Sequence, residues 1–443
     1  MINGKTPLFI ATEYENETLV KYLVEHGANV KKENINGDTP LTIACEFGSD
    51  NIIKYLIEHG ADINKENNNG DTPLIIACNS GSDNIIKYMI EHGADINKEN
   101  NNGDTPLIIS CKFVNETIVK WLVEHSANVN KGNYNGDAPL AIACKSGSDN
   151  IIKYLIEHGA DINRKNNNGD TPLILACNSG SDNIIKYLLE YGADINRKNN
   201  NGDTPLLFAC RNDKKALIKY LVEHGTNVDK ELNNGKTPLF IACEFGNEAL
   251  AKYLVEHGAN VNKGNNNGDT PLTIACKSGS DNIIKYLIEH GADINKENNN
   301  GDTPLHIACE MEYEYEYKEG NEYENIIKYL KEHGADINKE NKDGNTPLHI
   351  ACNNEYSNEN IVKYLIEHGA DMDINKENKD GNTPLQIAYE NENDDIVKYL
   401  LEHGAANISK KMKMLSDKED DKDEDENEDE EYGEKYEKND EEI

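Results

Sequence analysis

Two rhythms of apolar residues alternate along this chain, with polar stretches between them, and the unit around Pro73 shows both. Leu74, Ala77 and Cys78 recur at spacings of three and four, which puts them on one narrow stripe of a helix. Thr72 is a good N-cap for that helix, and Pro73 at its first position has a fixed φ and lacks only an N–H that goes unused there. Gly81 is the expected C-cap. Ser82 or Asp83 then caps a second helix, whose Ile85, Ile86, Met89 and Ile90 make a wider apolar face before Gly93 stops it. The link to the neighbouring unit is polar and centres on Asn69-Gly70, a dipeptide that favours a tight turn with positive φ. The pattern predicts two short helices and an extended loop with a tight tip.

All twelve prolines sit in this context, at positions 7, 40, 73, 106, 139, 172, 205, 238, 271, 304, 347 and 384. The first ten are 33 residues apart without exception, and the last two gaps are 43 and 37. A pair of short helices cannot bury its own apolar stripe, so the units must stack and share one elongated core. At ~8–10 Å per helix layer, twelve units predict a curved, monomeric rod of roughly 100 to 120 Å, about two-thirds helix with almost no strand.

Through Gly70, Thr72, Pro73, Leu74, Ala77, Gly81, Met89, Gly93 and Ala94, positions that return in register twelve times, the chain resembles the ankyrin repeat family. The resemblance covers residues 4 to about 408 and implies an all-α fold there, an α-solenoid of stacked helix-turn-helix repeats with hairpin-like loops. It also implies that loop tips and the exposed side of each first helix line a concave face used by partners. In one respect the chain departs from the family pattern. The histidine of Thr-Pro-Leu-His stands only at His306 and His349, while other repeats carry residues such as Phe9, Thr42, Ile75, Ala141 and Gln386, so ten repeats lack that histidine's hydrogen bond.

Charge adds two features. The chain holds 45 Lys and Arg against 81 Asp and Glu, a net charge of -36, with a hydrophobic fraction of 37%. Taken alone this composition leans toward disorder, and the periodicity overrides it. No apolar run approaches the ~20 residues of a membrane span, and MINGKTPLFI lacks the marks of a signal peptide. The expectation is a soluble intracellular chain, cytoplasmic or nuclear, without a membrane partner. The acid excess also argues against nucleic acid, since a polyanion is repelled. In repeat ten, sixteen residues, Glu310 to Asn325, replace the six found between cysteine and second helix elsewhere, and they include Tyr313, Tyr315 and Tyr317 among glutamates. Residues 409–443 read as a disordered acidic tail, with 17 acids and four lysines in the last 28 residues. Such segments either speed encounter with a basic partner or keep the molecules apart in solution.

Three columns imitate chemistry. Ten cysteines, Cys45, Cys78, Cys111, Cys144, Cys177, Cys210, Cys243, Cys276, Cys309 and Cys352, each lie five residues after a repeat proline. Layers about 10 Å apart exceed the ~7 Å limit for a disulfide and cannot converge on one zinc, so the column reads as small buried residues in a reducing compartment. Eleven histidines that end second helices, His59 and His92 among them, read as surface side chains beside a helix C-terminus. Eleven tyrosines and Trp121 in Lys-Tyr-Leu or Lys-Trp-Leu read as half-buried packing. The Asn-rich loops fail the calcium-loop template at Lys65 and Ile76. No catalytic motif and no cofactor motif stands out.

What remains is surface. Aspartates at the loop tips, Asp38, Asp71, Asp104, Asp137, Asp170, Asp203, Asp269 and Asp302, form a column that Lys5 and Lys236 interrupt. Two residues after the cysteine position, Tyr14, Phe47, Phe113, Phe245 and Met311 alternate with Ser80, Ser146, Ser179 and Ser278. These large residues are either exposed binding hot spots or packing on the neighbouring first helix. The candidate partner-binding set is therefore Tyr14, Phe47, Phe113, Phe245 and Met311 with Asp71, Asp104, Asp170 and Asp203. The sequence reads as a non-catalytic scaffold for protein partners of basic character. The alternative is a structural rod or spacer, motivated by the near-identity of repeats two, three, five, six and nine.

Overall fold

The computed structural model describes residues 5–80, 83–311, 322–353 and 359–406. Gly81, Ser82, Tyr313, Tyr315, Tyr317 and the acidic tail lie outside the described residues. Among those described there are twenty-four α-helices and no strand. The chain divides into two compact units, Met1–Ala292 with nine helix pairs and Asp293–Ile443 with three.

One plan governs every pair. The first helix of repeat three runs Pro73–Ser80 and the second Asp83–Glu91. Thr72 caps the first helix by accepting the N–H of Ile75 at 3.3 Å, as the proline and threonine predict. In repeats two, five and six a left-handed glycine ends the first helix: Gly48, Gly147 and Gly180 have φ of 70°, 73° and 78°. The expected serine N-caps are weaker than predicted, because Ser49, Ser148, Ser181 and Ser280 make no side-chain cap bond. Asn16, Asn115 and Asn247 do cap, each accepting the N–H three residues on.

Leu74, Ala77 and Cys78 are buried, as are Ile85, Ile86 and Met89. Ile75 is buried too, outside the predicted narrow stripe, because its helix packs against the first helices of repeats two and four. Helix content is lower than expected. Most first helices hold seven or eight residues and most second helices nine, about half of a 33-residue unit rather than two-thirds. The cause is the loop. From Gly93 to Thr105 no residue is α-helical, because the segment is tied to its neighbours through its own backbone and its asparagines.

The asparagine usage follows from that tie. Asn100 Oδ1 accepts the N–H groups of Asn102 and Asp104, both at 3.0 Å, which folds the tip. Its Nδ2 donates to Asp71 Oδ1 of the preceding loop at 2.8 Å. Asn101 N–H donates to the Asn69 carbonyl at 2.9 Å, and Asn101 Nδ2 to the Asn68 carbonyl at 2.9 Å. One loop thus fastens to the previous one through main chain and side chain together. His306 and His349 do related work: His306 meets Thr303 Oγ1 through Nδ1 at 2.8 Å and the Asn345 carbonyl through Nε2 at 3.1 Å. Burial pushes the pKa of both imidazoles down.

Candidate protein-binding face

The columns that imitate chemistry resolve into packing. All ten cysteines are buried thiols outside any disulfide. Burial in apolar surroundings raises their thiol pKa, to about 12 at Cys78, Cys177 and Cys210. An unreactive thiol in this column acts as a small apolar residue. Cys210→Ser is expected to destabilise by about 1–3 kcal/mol, because it buries a hydroxyl without an assured partner. Urea denaturation is the measure, with Cys210→Ala the milder reference.

The histidines cap second helices. His59 Nδ1 donates to the Tyr55 carbonyl at 2.8 Å, and its ring stacks on Tyr55 with centroids 3.9 Å apart. Trp121 and His125 repeat the arrangement at 3.6 Å. A lysine of the preceding repeat lies over the ring in several repeats, as Lys54 Nζ does 5.6 Å from the Tyr88 centroid. Among the described residues no group of three or more His, Cys, Asp or Glu converges to hold a metal. No helix among them is long and apolar enough to cross a membrane.

The candidate site residues separate into two sets. Tyr14, Phe47, Phe113 and Phe245 are 79%, 45%, 52% and 69% exposed, so the neighbouring first helices do not cover them. Met311 is half-buried. The serines of the same column behave differently: Ser80 Oγ donates to the Cys45 carbonyl at 2.7 Å, and Ser278 Oγ to the Cys243 carbonyl at 3.0 Å. Ser80 and Ser278 fasten one repeat to the last, whereas the aromatics project. Phe113 is followed by Val114 at φ 59°, where Phe47 and Phe245 are followed by glycine. A β-branched residue in that region stores on the order of 1–3 kcal/mol of strain, and here the strain sits beside an exposed aromatic.

The aspartates stand less free than their column implies. Asp104 and Asp203 are only 8% and 5% exposed, and Asp71 and Asp170 are half-buried. Asp71, Asp104 and Asp170 each receive the Nδ2 of an asparagine in the following loop at 2.8 Å. Asp203 instead pairs with Arg211 Nη1 at 2.9 Å. The carboxylates of Asp71, Asp104 and Asp170 are joints between loops, and that of Asp203 ties its loop to the helix that follows.

Column reading missed repeat seven. Residues 205–237 hold six Lys and Arg against four acids, the one proline-to-proline unit with a net positive charge in a chain of -36. Counting charge by repeat, rather than by column, finds it. A groove of about 700 Å³ opens there, lined by Arg211, Leu232, Lys236, Ile241, Glu244 and Phe245 among others.

Stacked helix pairs and loop ladders define a repeat protein. The sequence profile for ankyrin repeats matches residues 1–67, 62–133, 127–199, 197–265, 260–319 and 315–412, and the chain belongs to the ankyrin repeat family. No curated protein matches the chain.

Proposed function

We propose that this chain is a non-catalytic scaffold that binds protein partners as a monomer, through the concave face of its ankyrin repeats, with Tyr14, Phe47, Phe113, Phe245 and Met311 as anchors. The carrying observation is the aromatic column, in which Tyr14, Phe47, Phe113 and Phe245 stay exposed. Exposed rings with few rotamers lose little entropy on contact and are enriched among hot spots. Asp71, Asp104, Asp170 and Asp203 add negative potential, and repeats one to three carry excess acid, which favours a partner with basic character there. Ten buried thiols outside any disulfide fit a reducing compartment, cytosol or nucleus. A pull-down with wild type and a Phe47→Ala/Phe113→Ala/Phe245→Ala variant tests the reading. Loss of each effective anchor is expected to weaken capture about tenfold or more, with the far-UV spectrum unchanged. Identical partners at identical recovery would remove the binding face and leave the structural rod.

A further inference from the structure

We propose that the groove between the loops leading into repeats seven and eight holds an extended partner segment in which an apolar side chain is flanked by carboxylates. The inference rests on the reading of this face as protein-binding and adds the chemistry of one subsite.

The loop ladder is interrupted there. Asn68, Asn101, Tyr134, Asn167 and Asn200 each donate a backbone N–H to the preceding loop at 2.9 to 3.0 Å, and Asn266 resumes the pattern at 3.0 Å. Asn233 N–H makes no such bond to the Asn201 carbonyl, although Asn233 Nδ2 still reaches the Asn200 carbonyl. The side-chain clamps fail at the same place. Leu232 occupies the position from which an asparagine elsewhere reaches the preceding aspartate, so Asp203 turns to Arg211. Lys236 occupies the aspartate position and pairs with Glu244 at 2.6 Å, and Asn265 Nδ2 turns to Asp269 of its own loop at 3.2 Å.

Two complementary features meet in the opening. Leu232, Ile241 and Phe245 give it apolar walls, and its volume suits a few side chains rather than a whole domain. Arg211 lines the groove with only one of its five N–H donors engaged, and Lys236 is beside it. The charged residues that line the groove are Arg211, Lys236 and Glu244, which leave it net positive, so carboxylates are attracted here while the acidic repeats repel them.

The probes are two end-blocked, fluorescently labelled peptides, Glu-Phe-Leu-Glu and Lys-Phe-Leu-Lys, titrated by anisotropy against the full chain. The acidic peptide is expected to bind at least tenfold tighter. Leu232→Asn/Lys236→Asp restores the side chains used by neighbouring loops, so it is expected to melt no lower than wild type and to lose the acidic peptide at least tenfold. Arg211→Gln is expected to weaken the same peptide, and Phe47→Ala/Phe113→Ala to leave it unchanged. Equal affinity for the two peptides, or retention of the acidic one by both the double variant and Arg211→Gln, overturns the proposal. Loss of partners from the Phe47→Ala/Phe113→Ala variant bears on the wider reading alone, because neither residue lines this groove, so the two fail separately.

Discussion

Gly70→Ala is expected to destabilise the first unit by about 3–5 kcal/mol, while Gly93→Ala costs only about 1–2 kcal/mol. Both glycines have positive φ, 76° and 90°, so both substitutions carry the same left-handed penalty. The difference lies in what a Cβ meets. At Gly93 nothing lies within 4 Å, whereas at Gly70 a Cβ falls 2.6 Å from Asn101 Oδ1 and 2.7 Å from Asn101 N. Asn101 cannot retreat cheaply, because its N–H is bonded to the Asn69 carbonyl and its Nδ2 to the Asn68 carbonyl. Relieving the clash therefore breaks the ladder between the two loops. Urea titrations of both variants decide the matter, and equal losses would show that the ladder yields without cost.

That contrast marks how far sequence reasoning reached. The helix starts were legible because Thr-Pro is a local signal: Thr72 and Pro73 cap and start a helix whatever surrounds them. The cysteine column was legible from distance alone, since a repeat spacing forbids a bridge. The left-handed tips were legible at Asn69-Gly70 and its equivalents. Helix length was overstated, because the polar link gives no local sign that its asparagines bond to the next loop rather than to solvent. The same non-local bonding explains the aspartates. Asp104 reads as an exposed acid by type, and only stacking places Asn133 on it. Repeat seven was legible in principle: a leucine and a lysine at positions held elsewhere by asparagine and aspartate break two ladder joints, but the effect exists only between loops. Partner chemistry depends on what the stacked face leaves open, and the aromatic column shows this in its split between Phe113, which projects, and Ser80, which turns back to the Cys45 carbonyl.

The buried thiols are expected to make the first unit labile to mild alkali. Burial lifts the pKa of eight cysteines there, from Cys45 to Cys276, reaching about 12 at Cys78, Cys177 and Cys210. An unfolded thiol titrates near ~8.5. A folded pKa above the unfolded one means that the stabilising contribution is complete below ~8.5 and is lost as pH rises toward the folded value. Over that window the unfolded state sheds protons that the folded state keeps, and each thiol costs about 1.4 kcal/mol of stability per pH unit. Eight acting together cost roughly 11 kcal/mol per unit, comparable to the whole stability of an ordinary domain, about 5–15 kcal/mol. The first unit is therefore expected to lose its helical signal within about one pH unit above ~9, before most lysines deprotonate. Where repeats open one or two at a time, the slope falls to that of the thiols released, so the steepness also reads the size of the opening unit. Far-UV circular dichroism against pH, with and without low urea, makes the measurement, and a variant with all eight cysteines changed to alanine is the control. The tyrosines shift in the same direction but remain in that variant, so they set its residual slope. A wild-type unfolding curve that matches the alanine variant between pH 8 and 10 would show that the column is not held as buried, protonated thiols.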